Sequence, residues 1–118
     1  SFQNIIKSIF KELILNAIKY AQKNQAPMVE INSELTQNFI KIIFRDNGVG
    51  IDVERYRSQL FGLYKKFNHS TSSNESKGIG LFKIKKQVES MNGKIEVKSE
   101  LGKWTEFIIY LPLVHEIS

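Results

Sequence analysis

Apolar residues recur at threes and fours at the start of the chain, where Ile6, Phe10, Leu13, Ala17 and Ala21 make one stripe. That spacing predicts an amphipathic helix over Phe2–Lys23, which has to end before Pro27 because proline cannot continue it. The pattern then switches to alternation. Met28–Leu35 predicts a strand, Thr36-Gln37-Asn38 a hairpin turn, and Phe39–Arg45 a second and more buried strand. Asp46-Asn47-Gly48-Val49-Gly50 follows as a glycine-containing turn, and Val53–Phe67 reads as short helices. The segment His69–Lys77 (HSTSSNESK) has no apolar anchor and predicts a mobile loop. Helical spacing returns through Leu81, Ile84, Val88 and Met91, so a helix is expected over Gly78–Met91, closed by Asn92-Gly93. Lys94–Ser99 and Trp104–Leu111 alternate as strands around a turn at Glu100–Lys103, and Pro112 ends the last one.

Helix, hairpin, loop, helix, hairpin is an α+β order. It implies a two-layer α/β sandwich, with a mixed and mostly antiparallel sheet covered by helices on one face. Turns rather than crossover helices join consecutive strands, which argues against a parallel array. With 118 residues and no visible linker or repeat, residues 1–118 are expected to form one domain. A hydrophobic fraction of 42% is enough for one core.

Composition mostly excludes. The chain has no cysteine, and its histidines, His69 and His115, are too few and too far apart for a zinc cluster. No apolar run approaches the ~20 residues of a bilayer span. The chain opens on Ser1 and enters a helical pattern almost at once, so a fragment of a longer protein is expected. The expected location is cytoplasmic, without direct membrane contact, although the parent protein can be membrane-bound. The formal charge of +5 fits a solvated lysine-rich surface. No aromatic-basic stripe of the kind that stacks single-stranded bases is seen, so nucleic acid is not an expected partner.

Three clusters carry candidate chemistry, each unremarkable by itself. Glu12, Asn16, Lys19 and Tyr20 share one side of the first helix: a carboxylate, an oxygen ligand for a hard cation, an amine for phosphate and a stacking ring. An ordinary amphipathic helix would also carry them. Asp46 ends a strand and leads into Gly48 and Gly50, which suits a carboxylate accepting from an exocyclic amine while the backbone approaches a flat ligand. A simple Asx turn would look the same. Lys77-Gly78-Ile79-Gly80 ends the polar loop and opens a helix, where free amides and a lysine can hold phosphate. It is neither a Walker loop, because no Gly-Lys is followed by Ser or Thr, nor a dinucleotide fingerprint, because the third glycine is missing.

The order of these clusters is more specific than any one of them. ELILNAIKY (Glu12–Tyr20) resembles the asparagine box of the GHKL (Bergerat-fold) ATPase superfamily. DNGVG (Asp46–Gly50), KGIGL (Lys77–Leu81) and LGKWTEF (Leu101–Phe107) resemble its glycine-rich boxes, and LFGLYKKF (Leu60–Phe67) its phenylalanine box. The last of these, the Lys-Tyr ending of the first box and the closing Leu111-Pro112 are most similar to the ATP-binding catalytic domain of sensor histidine kinases.

The resemblance implies the roles. Asn16 would ligate Mg²⁺ bridging the phosphates of ATP, Glu12 would orient or deprotonate the attacking group, and Lys19 would touch phosphate. Tyr20 would pack near the base or ribose. Asp46 would accept from the adenine amino group, with Gly48 and Gly50 giving the base room. Lys77, Gly78, Gly80 and Leu81 would line the phosphates beneath a lid over Asn68–Lys77, and Thr105 would complete the last box. The implied partners are ATP, the phosphoacceptor helical hairpin of a parent kinase and, indirectly, a response regulator. Two positions depart from the pattern: Trp104 and Ser76 stand where glycine is usual. The first raises an altered adenine-side wall, and the second a stiffer lid. His115-Glu116 follows a proline-terminated strand and reads as tail, so the acceptor histidine is expected elsewhere. The other readings are a non-catalytic nucleotide module, a GHKL serine kinase of the anti-sigma type and, last, a basic nucleic-acid-binding domain.

Overall fold

In a computed structural model, residues 2–52 and 72–113 are described, the side chains of Phe2 and of residues 72–80 excepted. The elements are α1 (Phe2–Lys19), β1 (Val29–Leu35), β2 (Phe39–Asp46), α2 (Ser72–Ser90), β3 (Lys94–Glu100) and β4 (Trp104–Pro112). The four strands form one antiparallel sheet in the order β1-β2-β4-β3. The two expected hairpins are therefore joined through β2 and β4. Those central strands carry the longest apolar runs, FIKIIF and FIIYL, as strands with neighbours on both edges require.

Both helices pack on one face of the sheet. Ile9 and Leu13 of α1 and Leu81, Ile84 and Val88 of α2 meet Ile42, Phe44, Phe107, Ile109 and Leu111 in one buried cluster. The period of α1 and the alternation of β2 and β4 put these side chains there, each contributing about 1.5–3 kcal/mol by burial. Gln87 Nε2 donates to Ser8 Oγ at 2.7 Å and joins the helices across the top of that cluster. The opposite face carries a mesh of long side chains. Tyr110 packs edge-on against Phe39, while Lys41 and Lys94 lie within 6 Å of its ring.

Two boundaries differ from the sequence expectation by more than one residue. The first helix stops at Lys19 rather than Lys23, because the carbonyl of Tyr20 accepts from Val49 N (2.9 Å) instead of extending the helical ladder. The second helix begins at Ser72, inside the segment expected to be a loop. Polarity there did not mean irregular backbone. The far end behaves as expected. Asn92 adopts a left-handed φ of 61°, and Met91, Asn92 and Gly93 donate back into the last turn. The expectations for Val53–Phe67 and for Asn68–Thr71 lie outside the described residues. No described helix is long and apolar enough to cross a membrane.

Candidate functional site

The C-terminal end of α1 is bonded directly to the turn after β2. Tyr20 N donates to Asn16 O (2.9 Å), and Tyr20 O accepts from Val49 N. Asn16 therefore lies one helical turn from the Asp46–Gly50 segment. The residue is half-buried, and its Nδ2 is buried with no hydrogen-bond partner among the described residues. Such a group costs stability unless something else satisfies it. The two ends of an amide exchange by a half-turn, so the same position can present its oxygen to a cation. Glu12, one turn earlier, is half-buried and held by Lys83 Nζ of α2 at 3.2 Å. Lys19 is exposed, with its ammonium 5.6 Å from the Tyr20 ring centroid.

Asp46 is the last residue of β2 and is 7% exposed, the only charged residue buried among the described residues. Its Oδ1 accepts from Gly48 N at 2.8 Å. Thr105 faces it across the β2–β4 ladder and is 2% exposed. The Thr105 hydroxyl lies 3.1 Å from Ser99 Oγ, which donates to Trp104 O and accepts from Ile51 N, both at 2.7 Å. A buried carboxylate beside a satisfied hydroxyl pair is a fixed acceptor in low dielectric, where a hydrogen bond discriminates strongly.

The glycines also have a local structural reason. A Cβ on Gly48 would stand 2.8 Å from Tyr20 O and 2.9 Å from Asp46 Oδ1. One on Gly50, whose φ is +77°, would stand 2.4 Å from Glu100 O. The room these residues leave is filled by the chain's own backbone, so they let α1, the turn and the β3–β4 turn close on one another. Gly102 N donates to Val49 O at 2.6 Å and completes that closure.

At the other end the helix start is not where the motif suggested. Lys77, Gly78 and Gly80 lie inside α2, past its first turn. Their amides are not among the free donors of a helix N-terminus, so the anion-site argument from a helix opening at Gly78 does not hold for this backbone. Leu81 is fully buried in the core. Ser76 is a helical residue, so a stiffer loop is not its local effect.

One departure from the pattern is Trp104. It alternates with Thr105, so its ring is on the outer face of the sheet, where the Arg45 guanidinium stacks 4.1 Å from its centroid. It lines a cavity of about 220 Å³ with Met28, Glu30, Arg45, Asp46, Asn47 and Lys103.

Two residues that sequence reasoning passed over are central here. Asn47 anchors the segment before β1: its Oδ1 accepts from Met28 N (2.8 Å), and its Nδ2 donates to Gln25 Oε1 and Ala26 O (both 3.1 Å). Gln22 donates to three backbone carbonyls, those of Asn47, Gly48 and Gly102. The Asn-Gly pair could have flagged Asn47 as a turn former. Nothing local marks Gln22, whose partners are remote in sequence.

Residues 3–115 match the family model described as histidine kinase-, DNA gyrase B-, and HSP90-like ATPase. The chain is 47% identical over 90 residues to a probable C4-dicarboxylate sensor kinase of Halalkalibacterium halodurans, covering 76% of this chain and 16% of that protein. It is 34% identical over 104 residues to the sensor protein SrrB of Staphylococcus aureus, covering 88% of this chain and 18% of SrrB. Cyanobacterial phytochrome A of a Nostoc species is 32% identical over 108 residues, 92% of this chain and 14% of the relative. The chain thus spans less than a fifth of the curated relatives it matches. Among solved structures, the Acinetobacter baumannii histidine kinase AdeS superposes with a TM-score of 0.67 at 23% identity, covering 92% of this chain and 46% of that one.

Proposed function

The chain belongs to the histidine kinase-, DNA gyrase B-, and HSP90-like ATPase family, and from that premise we propose that it binds Mg-ATP and transfers the γ-phosphoryl group to a histidine on a separate dimerising hairpin of a sensor kinase. The observation that supports this best is the closeness of two unlike groups. The amide of Asn16, whose Nδ2 has no partner among the described residues, and the buried carboxylate of Asp46 are held within one helical turn of the same backbone junction.

In this reading Asp46 accepts from the exocyclic amine of adenine, with Thr105 and Ser99 keeping its surroundings dry and polar. Gly48 and Gly50 shape that end by permitting the close backbone contacts, and Tyr20 packs beside the base or ribose. Asn16 would hold Mg²⁺ through its amide oxygen; bound there with the phosphates, the ion would neutralise charge developing on the transferred group. Lys19 meets phosphate as a point charge. Glu12, paired with Lys83, acts on the incoming histidine rather than on ATP. Lys77, Gly78 and Gly80 reach the phosphates only if the first half of α2 leaves its helix. Two glycines inside a helix cost about 1 kcal/mol each relative to alanine, so that half is held weakly.

Asn16→Ala tests the reading. The substitution removes an amide whose Nδ2 has no partner among the described residues, so the thermal midpoint should hardly move. Mg²⁺-dependent transfer to an acceptor hairpin supplied in trans should fall below detection. Normal transfer by the folded variant would overturn the assignment.

A further inference from the structure

Gln22 lies outside every recognised motif, just beyond the end of α1. Its Nε2 is 3.2 Å from Asn47 O, 3.1 Å from Gly48 O and 3.0 Å from Gly102 O. An amide nitrogen carries two protons, so one of them is shared between neighbouring carbonyls. Carbonyl oxygens gathered at one point repel one another, and a donor at the centre is what makes such a cluster stable.

Two of these carbonyls belong to peptide groups whose other end is also engaged. The Asn47–Gly48 peptide gives its oxygen to Gln22 and its N–H to Asp46 Oδ1 at 2.8 Å. The Gly48–Val49 peptide gives its oxygen to Gln22 and its N–H to Tyr20 O at 2.9 Å. A peptide group is planar and rigid, so fixing the direction of its oxygen fixes that of its N–H. Gln22 is thus one planar unit away from the Asp46 carboxylate. The third bond ties the β3–β4 turn into the same frame.

We propose that Gln22 is a positioning residue for base recognition, setting through the Asn47–Gly48 peptide the direction in which the Asp46 carboxylate meets the nucleotide. The proposal rests on the reading that Asp46 accepts from the adenine amine. Gln22 touches no substrate atom itself; it governs base preference through Asp46 and leaves the phosphate end alone.

The test uses the 118-residue chain, with calorimetric titration of ADP and GDP and amide exchange measured in parallel. Gln22→Met keeps the length and removes the donors, while Gln22→Lys keeps a donor in another shape. The methionine variant should lose about tenfold in its preference for ADP over GDP, the scale of one hydrogen bond to a charged group. The lysine variant should recover part of that loss. Exchange at Val49 and Gly102 should quicken in the methionine variant, while exchange in β2 and β4 stays as in the parent. An unchanged ADP:GDP ratio in Gln22→Met overturns the proposal, and so does faster exchange throughout the sheet, which marks a merely structural role. Asp46→Asn, run alongside, separates the two claims. If it leaves the ratio unaltered, the Asp46 reading has failed and this proposal with it. If it collapses the ratio while Gln22→Met does not, only the role of Gln22 is lost.

Discussion

The two ends of the candidate cleft are built in opposite ways. At the Asp46 end, α1, the 46–50 turn and the β3–β4 turn are tied by backbone bonds from Val49 to Tyr20 and from Gly102 to Val49, with Gln22 at their centre. Glycines stand where any side chain would push those segments apart. At the other end, Lys77, Gly78 and Gly80 are residues of α2, in a stretch of serines, an asparagine and glycines that favours helix poorly. A site that reads a base needs donors and acceptors fixed in advance, since a hydrogen bond discriminates only when its geometry is held. A segment that has to wrap a triphosphate needs the reverse, a resting structure cheap to undo.

The contrast breaks most visibly at Glu12. In the proposed reading it serves the transfer step and not the nucleotide, so Glu12→Gln should leave ATP affinity unchanged and slow transfer to the acceptor hairpin by about 10²–10⁴-fold. An unchanged rate, measured in single-turnover assays, would move the chain toward a non-catalytic nucleotide module.

A glycine pair sharpens the base end. Gly50→Ala puts a methyl against the Glu100 carbonyl at a φ of +77°, and roughly 2–5 kcal/mol should be lost through clash and left-handed strain together. Gly102→Ala has a similar φ of +84° but open space around it, so only strain of about 1–2 kcal/mol is expected. Denaturant midpoints that rank the two in the opposite order would mean the closure of the turns is not what stabilises this end.

The smallest effect belongs to the start of α2. Amides of Ser72–Gly80 should exchange faster than those of Leu81–Ser90 in the empty chain, and an ATP analogue should change their protection on the order of tenfold more than ADP does. Equal protection in the empty, ADP-bound and analogue-bound states would remove this segment from phosphate binding.

The sequence was most readable where one periodicity governed the outcome. Leu13, Ile84 and Val88 recur at helical spacing, Phe44 and Phe107 alternate on strands, and all five are in the core. Both hairpin turns and the Asn92-Gly93 stop were likewise local chemistry. The start of α2 was missed because polar composition speaks to solvent exposure and not to backbone conformation. The end of α1 was missed because a tertiary bond from Val49 captured the Tyr20 carbonyl. At the site, Glu12, Asn16 and Asp46 stood out through residue type and order. Gln22 and Ser99 did not, since their importance comes from partners brought together only by the fold.

The central claim is that Asp46 reads adenine from a pocket built in advance, and nucleotide binding measured by calorimetry tests it most directly. ATP and ADP should bind more tightly than GTP, whose ring presents a carbonyl where adenine has its amine. Asp46→Asn should cost about 1.5–3 kcal/mol, roughly tenfold to a hundredfold in affinity for the adenine nucleotides. Equal binding of ATP and GTP by the parent chain would contradict the account.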